Sequence, residues 1–86
     1  MPPIKIKDVK PAYPARAQES GTEGVVILEG TIYTDGTISD LRTLRGPEAL
    51  SEAAQSAVRQ WEYVPAKLNG APVAIIVSVT VNFTLK

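Results

Sequence analysis

The sequence predicts an α+β domain, with two helices on one face of a three-stranded antiparallel sheet and the last strand at the sheet edge. Three observations carry this reading. First, Val73, Ile75, Val77, Val79, Val81, Phe83 and Leu85 fall on every second position, separated by Ala74, Ile76, Ser78, Thr80, Asn82 and Thr84. Residues 73–85 therefore read as one long strand with an oily face and a small, mostly polar one. Second, Thr34-Asp35-Gly36 closes an earlier apolar run, and Asp-Gly supplies the positive φ angles of a tight hairpin turn. Third, Leu50, Ala53, Ala54, Ala57, Val58 and Trp61 form a single stripe at helical spacing.

The elements follow in order. Pro2, Pro3, Pro11 and Pro14 punctuate an extended N-terminal arm, residues 1–10, in which Ile4-Lys5-Ile6-Lys7 alternates like a short strand. Pro14 suits the first turn of a short helix through Ala15–Glu19, where its missing N–H does no harm, and Gly21 is a suitable helix cap. Gly24–Tyr33 is the next strand. It places Val26, Leu28 and Ile32 on one face and Val25, Ile27, Glu29, Thr31 and Tyr33 on the other. Beyond the turn, Thr37 to about Arg45 returns as its hairpin partner, with Ile38 and Leu41 as core contacts. Gly46-Pro47-Glu48 then opens the helix that carries the Leu50–Trp61 stripe. Gly30, inside a strand, implies either a bulge or the close approach of a large side chain, for which Trp61 is the expected cover. Setting the long strand beside the first of the hairpin pair leaves it at the edge. Its backbone is then a docking site or a hazard, unless the Ile4–Val9 arm pairs with it.

Composition narrows the function classes. Nine Lys plus Arg balance nine Asp plus Glu, which argues against a general nucleic-acid or acidic-membrane binder. With no Cys and no His, disulfides, the usual zinc sites and Ser-His-Asp or Cys-His catalysis are excluded. No run of about 18 apolar residues exists to span a bilayer, and the N-terminus does not read as a signal peptide. The segment reads as one small domain cut from a longer protein.

No constellation points to catalysis. Asp35 is explained by its turn, and Asp40 is expected at a solvent-facing position. Glu48 and Glu52 favour the first half of their helix through its dipole. The glycines lack phosphate-loop spacing. Trp61 reads as core, and the scattered Arg16, Arg42, Arg45 and Arg59 read as solvated. Catalytic, cofactor-binding and metal-binding residues are all expected to be none.

Two clusters carry a resemblance. Pro11-Ala12-Tyr13-Pro14-Ala15-Arg16-Ala17-Gln18 precedes Gly24-Val25-Val26. Then come Thr34-Asp35-Gly36 and Ala57-Val58-Arg59-Gln60-Trp61-Glu62-Tyr63-Val64-Pro65-Ala66. In this order the motifs closely resemble the TonB C-terminal domain family over residues 11–86. Each motif is weak alone, but the ordered set is specific.

The resemblance implies a non-enzymatic periplasmic domain. The full-length protein would be anchored in the inner membrane through a segment absent here and a Pro-rich spacer. The implied partner is the TonB-box peptide of a TonB-dependent outer-membrane transporter, added as an extra strand beside the domain's last strand. An inner-membrane proton-driven complex would supply the force for active transport, such as siderophore uptake. Carried onto this chain, the partner-binding residues are Val73, Ala74, Ile75, Ile76, Val77, Ser78, Val79, Thr80 and Val81, with Val9 and Lys10 just before the Tyr-Pro motif. Lys10 stands where the bacterial type member has Gln, and Gly30 where some members carry an aromatic core residue. An alternative is a TonB-like envelope adapter that self-associates or binds a non-transporter partner. The oily Val25 and Ile27 face favours a homodimer in that case.

Overall fold

A computed structural model describes residues 1–85. The chain runs β1 (Ile4–Lys7), α1 (Ala15–Ser20), β2 (Gly24–Ile32), β3 (Ile38–Arg45), α2 (Glu48–Val58), β4 (Glu62–Val64), β5 (Ala66–Leu68), β6 (Ala71–Val73) and β7 (Ile75–Phe83). The main sheet is antiparallel in the order β3-β2-β7. This is the expected three-stranded α+β arrangement, with the last long strand at the edge. Two small antiparallel pairs, β1-β4 and β5-β6, accompany it.

Local chemistry sets each boundary. Pro14 lies just outside α1 in extended conformation (φ −61°, ψ 138°), and its carbonyl accepts the first helical bond, from the Gln18 N–H at 3.0 Å. Gly21 ends α1 in the left-handed region (φ 68°), which lets the Thr22 N–H reach the Ala17 carbonyl at 2.8 Å. Pro47 plays the corresponding part before α2, and Glu48 sits favourably in its first turn. The helix ends at Val58, yet the apolar stripe continues. The Gln60 and Trp61 N–H groups bond three residues back, to Ala57 and Val58, and this final tight turn holds Trp61 on the buried face.

The core lies between the sheet and the helices. Val26, Leu28 and Ile32 of β2 meet Leu50, Ala54 and Val58 of α2, Ala17 of α1, and Val81 and Phe83 of β7. The alanines let α2 lie close to the sheet. Thr43 on β3 ties the layers by hydrogen bonds with the Ser51 hydroxyl and, at 3.0 Å, with the Gln55 amide. No buried side-chain N or O atom among the described residues lacks a partner.

Two expectations need correction, and one alternative is decided. The 73–85 run is not one strand. Val73 pairs with Ala66 in the β5-β6 hairpin, Ala74 interrupts, and the strand proper begins at Ile75. A period-two pattern continues through a bend, so the sequence shows no break there. Gly30 is covered by Leu41 and Ile38, whose side chains would lie 2.6 and 3.2 Å from an added Cβ, and not by Trp61. The cover comes from the hairpin partner strand, whose bulged register turns Leu41 inward. The N-terminal arm does form a strand, but it pairs with β4, Ile4 opposite Val64 and Lys5 opposite Tyr63, and not with the long strand.

Candidate functional site

β7 and β3 are the two edges of the main sheet, and they differ in chemistry. β3 is guarded. Its pairing with β2 is interrupted at two places, Asp40 adopts a positive φ of 55°, and Arg42 and Arg45 are exposed along it. Bulges and charges are the usual means by which an edge is made unfit for further pairing. β7 has none of them. It pairs with β2 without interruption from Ile75 opposite Ile32 to Phe83 opposite Gly24. Residues 75–83 contain no charge, no Pro and no Gly. In an antiparallel strand the backbone polar groups point alternately to either side, so β7 presents a row of N–H and C=O groups away from β2.

The two faces of this edge differ. Val77, Val79, Val81 and Phe83 point into or along the core. Ile76, Ser78, Thr80 and Asn82 stand on the opposite face, opposite Thr31, Glu29, Ile27 and Val25 of β2. Ile76 is 70% exposed on this outer face, and Val25 is also exposed.

Two aromatic ties bring the arm to the far end of this edge. The Trp61 indole N–H donates to the Val9 carbonyl at 2.8 Å. A buried indole needs such a partner, but the sequence does not show that Val9, 52 positions away, supplies it. The Tyr13 ring meets Phe83 edge-on, with centroids 5.5 Å apart, and its hydroxyl donates to the Thr22 carbonyl. Burial and the Glu23 carboxylate push the Tyr13 phenol up. Between the ties, Lys10, Pro11, Tyr13, Asn82, Phe83 and Thr84 line a cavity of about 440 Å³. The structure thus places Lys10 beside the end of β7, and adds Asn82, Phe83 and Thr84 as neighbours that sequence reasoning missed.

Of the other residues expected to meet a partner, Ile75–Val81 lie on the open strand. Val73 and Ala74 lie at its start, in and just after the β5-β6 hairpin. Val9 is half-buried against the core. The carboxylates hold structural positions. Asp35 accepts from the Thr37 hydroxyl at 2.7 Å and from its N–H at 3.0 Å, and these bonds hold its carboxyl below the usual range. Asp40 is exposed, as expected, and accepts from the Tyr33 hydroxyl, a bond that pushes the Tyr33 phenol up.

Two helices backing a three-stranded antiparallel sheet, with a long, regular strand at one edge, place the chain in a class of small α+β domains. Comparison with known proteins makes the assignment specific. The family described as Gram-negative bacterial TonB protein C-terminal matches residues 9–85. The TonB protein of Vibrio cholerae serotype O1 is 33% identical over 99% of this chain and 36% of its own length. The tonB2 protein of Pseudomonas aeruginosa is 39% identical over 87% of this chain and 28% of its own length. The solution NMR structure of the Pseudomonas aeruginosa TonB CTD superposes with a TM-score of 0.80 at 27% identity, covering 98% of this chain and 87% of that one. The chain belongs to the TonB C-terminal domain family. It spans about a third of the length of the curated relatives it matches.

Proposed function

We propose that this chain is a non-enzymatic docking domain of a TonB-like energy transducer, which takes the TonB-box segment of an outer-membrane transporter as an added strand along Ile75–Val81 of β7. The carrying observation is the contrast between the two sheet edges. β3 is bulged and charged, whereas β7 is long, regular and uncharged. Strand addition draws affinity from backbone hydrogen bonds and asks little of the partner's sequence, which suits one domain serving several transporters. The family assignment supports the same reading, with the domain in the periplasm. Coupling to an inner-membrane proton-driven complex, through parts of the protein outside this segment, belongs to the proposal, as does a cargo such as a siderophore.

The test is a titration of ¹⁵N-labelled protein with a TonB-box peptide. Amide shifts are expected along residues 75–81 and at Val9 and Lys10, with the β1-β4 pair unmoved. Unperturbed β7 amides at millimolar peptide would overturn the reading. A second reading, an adapter joining two copies, draws on the exposed Val25 and Ile76 on the outer face. A concentration-dependent dimer in sedimentation that ignores the peptide would favour it.

A further inference from the structure

The open edge of the sheet has a built end: we infer that Pro72 is a stop that limits how far an added strand can run. This rests on the proposed docking along β7, and it specifies the length and placement of the segment that fits.

The backbone bonds fix which groups of β7 are open. The Tyr33 N–H donates to the Thr37 carbonyl at 2.8 Å, and the Tyr33 carbonyl accepts from the Gly36 N–H at 2.9 Å, so Tyr33 is turned toward β3. Backbone groups alternate sides along an antiparallel strand, and the pairing of β2 with β7 is unbroken. Ile32, Gly30, Leu28, Val26 and Gly24 are therefore turned toward β7, where they face Ile75, Val77, Val79, Val81 and Phe83. The Leu85 N–H keeps the same alternation and donates to the Glu23 carboxylate at 2.8 Å, on the β2 side. The N–H and C=O groups of Ile76, Ser78, Thr80 and Asn82 are left pointing to the open side.

β6 continues this edge beyond Ala74. The Thr37–Glu62 bridge and the Tyr63 N–H bond to the Gly36 carbonyl join β4 to the β3 side of the sheet. β5 follows β4 and pairs with β6 from that same side. The Lys67 N–H donates to the Met1 carbonyl at 3.1 Å, and the Lys67 carbonyl accepts from the Met1 amine at 2.8 Å. Lys67 is thus turned away from β6. Pro72 stands directly opposite Lys67, and the two members of such an antiparallel pair turn their polar groups away from each other. Pro72 therefore faces the open side, in step with Ile76 and Ser78. There it has no N–H to offer, and its ring carbon fills the place of the missing hydrogen. Pro72 is also exposed, so the ring stands free at the edge.

An added strand finds regular partners over positions 76–82, roughly 20 Å of edge at about 3.3 Å per residue. Carried past Ile75, it would set a carbonyl against the proline ring with no donor to meet it. Without the stop, the open edge would run from Ala71 to Phe83 with no charge on it, and a longer edge of this kind invites register slips and pairing with unintended strands. The fitting partner is an extended segment of about seven residues that ends, or turns away from the sheet, where it passes Ile75.

The experiment measures binding of an end-capped peptide of about seven alternating Val and Thr residues, beside two longer forms that add Thr-Val at one terminus or at the other. With the unsubstituted chain, at least one extension is expected to leave affinity unchanged, because it runs onto Pro72. In Pro72→Thr that same extension should tighten binding about twofold to tenfold, the yield of one restored hydrogen bond. The new amide at position 72 should become protected from hydrogen exchange only when that longer peptide is bound. Pro72→Ala should do the same, because the gain belongs to the N–H and not to the side chain. Pro72 donates no hydrogen bond to β5, so both variants should otherwise keep the native amide spectrum. Gains from extension at both termini in the unsubstituted chain overturn the inference while leaving docking on β7 intact. So do variants that keep the native length profile with an unprotected amide at position 72. If no peptide moves the amides of 75–81, the docking reading fails and the inference falls with it.

Discussion

Replacing Trp61 by Phe tests how the arm is tied to the domain. The substitution keeps an aromatic ring on the α2 stripe but removes the indole N–H that donates to the Val9 carbonyl at 2.8 Å. A hydrogen bond of this kind contributes about 1 kcal/mol net, and the part-buried carbonyl left behind adds a cost of similar size. The smaller ring also leaves some unfilled volume beside Val58. The Lys5 ammonium lies 3.8 Å from the ring centroid, an exposed cation–ring contact worth about 0.5–1 kcal/mol, part of which Phe retains. The expected loss is therefore about 1.5–3 kcal/mol. A chain of 86 residues has a total stability of roughly 4–13 kcal/mol, so the loss is large.

Urea unfolding followed by far-UV circular dichroism measures it, as a fall in midpoint with an unchanged slope. Lys5→Met in the native and Trp61→Phe backgrounds isolates the cation–ring share through the double-mutant cycle. A loss below about 0.5 kcal/mol would refute the argument that the Trp61–Val9 bond anchors the arm.

Two further predictions rest on single contacts. Gly36→Ala should destabilise by more than about 2 kcal/mol. Gly36 has a φ of 87°, and an added Cβ would lie 2.2 Å from the Tyr63 backbone oxygen, which is fixed by the Tyr63 N–H bond to Gly36; a native-like thermal midpoint would contradict this. Stability should also fall in alkali. The phenols of Tyr33, Tyr13 and Tyr63 are all raised above their ordinary value, Tyr33 chiefly by its bond to Asp40 and the other two chiefly by burial. A raised phenol favours the protonated folded state, so its contribution is complete below the unfolded pKa of about 10 and is lost as pH rises through the folded value. Thermal midpoints from pH 8 to 11 should decline, and Tyr33→Phe should flatten part of that decline; a flat profile in the native chain would overturn the assignment.

Much of the fold was legible because its signals are local. The Leu50–Trp61 stripe, the Asp35-Gly36 turn and the Gly21 cap each act within a few residues, so periodicity and conformational preference suffice to place them. The open edge was legible too, since a hairpin followed by one more strand leaves few arrangements. The corner at Lys10 was legible only in part. Lys10 came from the family resemblance, while its neighbours Asn82, Phe83 and Thr84 are more than 70 positions away, and no local pattern joins them.

The sequence by itself determined the two helices, the three strands of the main sheet, the core faces and the absence of His and Cys chemistry, because these follow from side-chain type and spacing; the short strands β4, β5 and β6 it did not show. Tertiary structure alone decided three matters. It set the arm against β4 and so left β7 free. It began the long strand at Ile75, after a break at Ala74, despite an unbroken alternation. It covered Gly30 with Leu41 and Ile38 rather than Trp61. Each of these turns on which of several compatible partners a group meets in space, and that choice depends on packing of the whole chain, where alternation and propensity are satisfied equally well by either outcome.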